Sequence, residues 1–288
     1  GEAGAASPEA MAQLRAKFGL DQPMASQLWH YLARVLTLDL GFSYRQNMPV
    51  LGLIMDRLPA TLWLMGAALS VALGLGIALG VLSAMAPGKW LDQTISVLVL
   101  FAYAMPTFWL GLMAMVLFSG KLGWLPSGGM VSLELPDSVW ERVFDGLRHI
   151  LLPALTLSTF YLALYAKLVR NAMLDVMASD FIRTARAKGV SRSAVMLRHA
   201  LRNALLPLVT MLGYQVSALL GGAVLVESVF SWPGIGRLAF DAVNARDLNL
   251  LLGILLLSAL LVTLINLLVD GVVVWLDPRI DLEHGRPH

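Results

Sequence analysis

The stretch LPATLWLMGAALSVALGLGIALGVLSAM, residues 58–85, contains no Asp, Glu, Lys or Arg. A helix needs about 20 apolar residues to cross a bilayer, and this run supplies them with residues to spare. Four further charge-free runs follow, at 93–120, 149–166, 203–226 and 248–269, the last extended past Asp270 to about Leu276. Five such runs do not fit as core helices of one small soluble domain. The sequence therefore predicts an all-α, polytopic helical membrane protein with five spanning helices.

Composition agrees. The chain has 288 residues, is 58% hydrophobic and only 14% charged, and carries a formal net charge of +2. Soluble domains run nearer a quarter charged. A nucleic-acid partner is excluded, because no basic surface on a soluble domain is offered. With no cysteine, disulfides, zinc–thiolate sites and cysteine nucleophiles are absent. The five histidines are scattered, and the sequence points to no metal site and no catalytic residue.

The linkers set the orientation. Residues 167–202 hold eight Lys or Arg against Asp175 and Asp180. The 121–148 linker holds three, against Glu134, Asp137, Glu141 and Asp145. By the positive-inside rule the 167–202 segment is cytoplasmic. Alternation puts 85–92 and the C-terminus inside, and 121–148, 227–247 and residues 1–57 outside. In 1–57, Ser7, Pro8 and Gly19 mark one short helix, and Leu28, Leu32, Val35 and Leu36 a second after Pro23. An outside N-terminal segment that lacks its own span leads to the expectation of a further helix upstream.

The runs hold almost no ionisable groups. A charge at mid-membrane costs about 2.5–3.5 kcal/mol, so it is kept only for a reason. The sequence shows no central carboxylate, no membrane-embedded zinc motif and no nucleophile–base pair. An enzyme is disfavoured, and driving energy comes from elsewhere unless the chain is a passive channel or secondary transporter. Gly76 and Gly80, with Ala72 a turn before, form a small-residue face suited to close helix approach. Packing within the chain is favoured over a subunit interface. Pro106, inside the second run, predicts a kink.

The basic segment DFIRTARAKG, 180–189, reads as a short amphipathic helix. Asp180 caps it, Gly189 stops it, and Phe181, Ile182 and Ala185 share an arc opposite Arg183 and Arg186. Ser191 caps a second helix running toward Asn203. A helix–Gly–helix presented by a membrane bundle suits docking into a groove on a soluble partner. The alternative is that its Lys and Arg only fix topology and bind lipid headgroups.

Ten ordered segments carry a resemblance over essentially the whole chain: FGLDQP, DLGFSY, PV, RLPATLWL, MPTFWLG, ARAKG, LRNALLP, ESVFSWPGIGR, NLLVD and DPRI. Together they resemble the membrane-spanning subunits of ABC importers, in the branch that takes up dipeptides, oligopeptides, glutathione or nickel. The resemblance implies that the basic segment is the EAA loop, whose coupling helix docks on an ATPase subunit. Carried over, it spans Asp180, Phe181, Arg183, Thr184, Ala185, Arg186, Ala187, Lys188 and Gly189. Thr184 stands where the general motif has Glu, and Arg186 where it has its second Ala.

The implied partners are a homologous second permease subunit, two ABC ATPase subunits, an extracytoplasmic solute-binding protein and the lipid bilayer of a bacterial inner membrane. ATP and Mg would sit on the ATPase partners, since this chain has no Walker motif. SWPGIGR looks like a phosphate loop but lacks the lysine and the strand–turn–helix setting; it is expected to be a turn packing the outer loop. The organisation expected is an extracytoplasmic helical segment at 1–57, a permease domain at 58–280 with its coupling loop at 169–203, and a cytoplasmic tail at 281–288. Polarity within the runs makes Tyr103, Trp109, Tyr161, Tyr165 and Gln215 candidates for lining the pathway, though ordinary packing is favoured for each.

Overall fold

The computed structural model describes residues 23–26, 29, 33, 37–132, 134, 138–189, 191, 194–205, 208, 211, 215, 221 and 223–276, and only the backbone at 185, 186, 198, 199, 270 and 272–276. The first short helix expected around Ser7–Gly19, most of the fourth run and the tail lie outside these residues.

The chain is mainly helical, with one feature the all-α expectation lacked. Phe42–Ser43 (β1) and Met48–Pro49 (β2) pair antiparallel, Phe42 opposite Pro49. This small hairpin leads directly into Val50–Met85 (α1). Next come Trp90–Ala104 (α2) and Thr107–Ala114 (α3), which widens into a π-helical stretch at Met115–Lys121. Val139–Met177 (α4) is the longest helix, and Asp180–Ala187 (α5) follows it. A π-helical stretch, Val195–Ala200, then runs into Leu201–Ala204 (α6). Ile235–Asn244 (α7) and Leu248–Leu276 (α8) complete the described chain.

Among the described residues, three helices are long and apolar enough to cross a membrane, and the α2–α3 pair makes a fourth if taken as one broken span. Helices of 36 and 39 residues, α1 and α4, reach about 54 and 58 Å at 1.5 Å per residue. Both exceed the hydrocarbon thickness of about 30 Å. Each therefore runs past its charge-free run: α1 starts ahead of Asp56 and Arg57, and α4 takes in Glu141, Asp145, Lys167 and Arg170. The charge pattern marked where apolar solvent ends, not where the helix does.

Pro106 does more than kink a span. α2 ends at Ala104, Met105 is extended, and α3 starts beyond Pro106, so the two axes differ by 104°. Proline lacks the N–H the ladder needs and pushes its predecessor out of the helical region.

Two apolar clusters hold the bundle. The larger joins α1, through Leu64, Ala68 and Ala72, to α4, through Leu157, Tyr165 and Val169, with Ile182, Met196, Phe230 and Trp232 packed against them. The smaller joins the start of α1 (Val50, Ile54) to α7 (Ile235, Leu238) and α8 (Leu250, Ile254). The α1–α4 contact uses the small-residue face. A Cβ built at Gly76 would lie 2.8 Å from the Tyr165 Cβ, and one at Gly80 would lie 2.7 Å from the Ala166 carbonyl oxygen. The face serves packing within the chain, as favoured from the sequence.

Candidate functional site

The basic segment folds as a helix on a short lever. The Ser179 carbonyl accepts the N–H groups of Ile182 (3.2 Å) and Arg183 (3.3 Å), so α5 begins at Asp180 itself rather than after it. Ile182 is fully buried in the main cluster, while Phe181 is 48% exposed. One side chain of the expected apolar arc anchors the helix to the bundle, and its neighbour is left outside. Arg183, Thr184, Ala187, Lys188 and Gly189 are exposed. Arg183 lies 3.5 Å from the Asp180 carboxylate across open surface, a pairing of little energetic weight. Gly189 has φ +78°, in the left-handed region where glycine pays no Cβ penalty. Ser191 starts the next turn: the Val195 N–H reaches its carbonyl at 2.9 Å and the Ala194 N–H its hydroxyl at 3.4 Å. Both helix signals of the basic segment therefore appear, one shifted by a residue.

Sequence reasoning missed the clamp from which this lever hangs. Arg170 grips Asp92 with two bonds, Nε to Oδ1 and Nη2 to Oδ2, each 2.7 Å. Asp92 is buried, and also accepts the Ser83 hydroxyl and, at 2.8 Å, the Gly88 N–H. One carboxylate thus ties together the end of α1, the 86–89 turn, the start of α2 and the cytoplasm-assigned part of α4. From the sequence Arg170 counts only as one of eight topology-marking cations. The available signal was Asp92, the one acid of a short turn and helix start opposite a basic segment.

Beside this clamp, between α1, α2 and α4, lies a cavity of about 450 Å³. Of the five aromatic and amide candidates for the pathway, only Tyr103 lines it. Tyr103 stacks on Phe160 with centroids 5.0 Å apart, and Phe160 meets Tyr161 edge-on at 5.3 Å. Tyr161 and Tyr165 are buried in the main cluster, and Gln215 is buried too. The Tyr165 hydroxyl has no hydrogen-bond partner among the described residues. Trp109 is 42% exposed on α3. The structure brings Tyr103 and Tyr161 together through Phe160 but does not gather the five around one space.

At the other end of the bundle a second polar knot surrounds Glu227, the first residue of ESVFSWPGIGR. Glu227 is fully buried. Its carboxylate accepts the Thr61 hydroxyl at 2.7 Å and the Arg237 N–H at 3.0 Å, and Thr61 in turn accepts the Ile235 N–H at 2.8 Å. The Trp232 indole donates to the Ala60 carbonyl at 2.8 Å. A Cβ at Gly234 would fall 2.3 Å from the carboxyl carbon of Glu227, and one at Gly236 2.6 Å from Val224 Cα. The glycines of the phosphate-loop look-alike wrap an internal carboxylate at the start of α7. SWPGIGR is a packing turn, as expected, and the carboxyl group it holds belongs to the protein.

The hairpin is fastened to the same end. The Ser43 hydroxyl donates to Asp247, whose other oxygen takes the Leu250 N–H at 3.1 Å at the start of α8. Asn249 Nδ2 donates to the Phe42 carbonyl at 3.2 Å.

Comparison with known proteins follows this anatomy. The family described as binding-protein-dependent transport system inner membrane component matches residues 76–282, and its N-terminal companion matches residues 3–65. The dipeptide transport system permease protein DppB of Escherichia coli (strain K12) is 43% identical over 95% of this chain and 86% of its own length. DppB of Alkalihalophilus pseudofirmus is 38% identical over 96% of this chain and 87% of its own. A putative peptide transport system permease protein of Brucella suis biovar 1 is 41% identical, covering 96% of this chain and 86% of its own. Among solved structures, an inward-facing MetNI methionine ABC transporter chain superposes with a TM-score of 0.59 at 21% identity, covering 77% of this chain and 94% of that one. An amino acid ABC transporter chain gives 0.54 at 16% identity, covering 79% and 94%; these two likenesses concern the fold alone. On the family match and the curated relatives, the chain belongs to the family of binding-protein-dependent transport system inner membrane components.

Proposed function

We propose that the chain is the transmembrane subunit of an ATP-driven importer of dipeptides or oligopeptides and forms half of the translocation pathway. The observation that carries the substrate class is the 43% identity to a dipeptide permease over 95% of the chain. Energy enters through partners. One of two ATPase subunits docks on α5 and the following turn, with the half-exposed Phe181 entering its groove and Arg183 and Lys188 meeting its acidic rim; the other docks on the second permease subunit. Asp180, Thr184, Ala185, Ala187 and Gly189 shape that surface. A homologous permease subunit completes the pathway, and an extracytoplasmic solute-binding protein delivers substrate.

In this reading the broken α2–α3 pair counts as one span and the 203–226 run as another, giving five. The N-terminal segment and hairpin lie outside, with the C-terminus in the cytoplasm. Two contacts support that sidedness: Asp92 with Arg170 joins the two linkers assigned inside, and Ser43 with Asp247 joins two segments assigned outside.

The test is reconstitution. The chain co-expressed with its neighbouring permease and ATPase subunits should take up a labelled dipeptide into proteoliposomes only with ATP inside and binding protein outside. Uptake by this chain alone without ATP would refute the reading and favour a passive channel.

A further inference from the structure

The cavity beside the clamp has two unlike walls. One is apolar, formed by Val99 and Leu100 of α2 and Leu164 of α4; the other carries Ser96, Lys167 and Asn171. Arg170 also borders it, but its charge is engaged by Asp92. Lys167 lies one turn earlier on the same face of α4. It is exposed and makes no hydrogen bond or ion pair among the described residues. Among the described residues, the cavity therefore holds one unpaired positive charge next to a hydrocarbon-lined space.

Among the described residues, the cavity opens beside the exposed face of α2. Leu100 (65% exposed) and Tyr103 (51% exposed) line the cavity and also belong to the exposed apolar face that α2 presents with Val97, Leu98 and Phe101. Trp90, 77% exposed at the first residue of α2 and within a turn of Asp92, marks this level as a membrane–water interface, where tryptophan rings gather. A ligand entering here comes from the bilayer with an apolar tail and meets a cation at headgroup depth.

We infer that this cavity binds an anionic phospholipid of the cytoplasmic leaflet, its phosphate on Lys167 and Asn171 and an acyl chain along Val99, Leu100 and Leu164. Basic pockets between spanning helices on the cytoplasmic side recognise such headgroups. The bound lipid bridges α2 and α4 beside the Asp92–Arg170 pair, and so braces the segment of α4 that carries the ATPase-docking helix. The inference rests on the proposed orientation, which puts this end in the cytoplasm.

The experiment is native mass spectrometry of the assembled importer in detergent, titrated with phosphatidylglycerol or phosphatidylcholine. Phosphatidylglycerol should be retained at one site for each copy of this chain, and phosphatidylcholine should not compete. Lys167→Gln should weaken retention about five-fold, the effect of one lysine at a lipid surface, and Lys167→Arg should keep it. Ser96→Trp, at an exposed lining position, should abolish the site without lowering complex yield. Equal retention of both lipids, or unchanged retention in Lys167→Gln, overturns the inference. Displacement by inorganic phosphate would make this a free-anion site, and displacement by a dipeptide a part of the pathway; either result overturns it as well. No phosphatidylglycerol retained by a wild-type complex that shows ATP-driven uptake would sink this inference alone. Intact retention without uptake would sink only the importer reading.

Discussion

The hydroxyl of Thr61 and the carboxylate of Glu227, 166 positions apart, meet at 2.7 Å inside the bundle. Thr61 sits between donor and acceptor duties, since it also receives the Ile235 N–H. Together with the Arg237 N–H on the second carboxylate oxygen, this joins α1 to the segment that turns into α7. The residues come from RLPATLWL and ESVFSWPGIGR, two of the segments by which the sequence resembles peptide permeases.

Removing one member of this knot leaves buried groups unpaired, which costs about 1–3 kcal/mol for each. Glu227→Ala should therefore destabilise the assembled complex by about 2–4 kcal/mol, and Thr61→Val by about 1–2 kcal/mol. Combining them should cost less than the sum, because the pair shares one network. Thermal unfolding of the purified complex in detergent measures all three. Additive losses would mean that the two residues act independently.

Arg170→Ala should be more damaging than an average surface change, because it strands Asp92, which is only 3% exposed. Breaking a buried pair costs about 3–5 kcal/mol; with the Arg170 side chain 28% exposed, about 2–3 kcal/mol is expected. Arg170→Lys should rescue only part, since a lysine lacks the two-pronged fork. The check is complex yield and melting temperature. Because the pair anchors the base of the segment proposed to dock on the ATPase, coupling should fall before assembly does.

Gly189 at φ +78° has nothing within 4 Å of the position a Cβ would take. Valine there is strained but not clashing, at a local cost of about 1–2 kcal/mol. Gly189→Val should leave membrane insertion and expression nearly intact and sharply reduce substrate-stimulated ATP hydrolysis. Gly189→Asn, which tolerates the left-handed region, should lie between. Unchanged coupling in proteoliposomes at matched yield would assign the basic segment to topology alone.

Gly80→Ala places its Cβ against Val169 Cβ at 2.8 Å and the Ala166 carbonyl. Overpacking of this kind costs about 1–3 kcal/mol, so the melting temperature should drop. Gly74→Ala, six residues earlier on α1 with open space around it, should be neutral or slightly stabilising, since alanine favours the helix. Equal effects at the two positions would deny that α1 and α4 meet through Gly80.

The sequence by itself determined that this is a helical membrane protein. Partitioning of an uncharged run such as 58–85 is a local property, additive along the chain and independent of any neighbour. The short helix of the basic segment was legible for a related reason. Ser191 and Gly189 act on their own backbone within a few residues, and the helix stop at Gly189 appears where it was expected, through a left-handed turn. Other features were decided only by the tertiary structure. Whether Pro106 bends a span or divides it into two helices 104° apart depends on what packs against each half. Whether Phe181 or Ile182 is buried depends on which side of α5 meets the bundle, and amphipathic spacing gives both equal claim. The polar knots were least legible of all. Asp92 with Arg170, Thr61 with Glu227 and Ser43 with Asp247 each join residues far apart in sequence. A carboxylate reads as a loop charge until the fold brings up the donors that allow it to be buried.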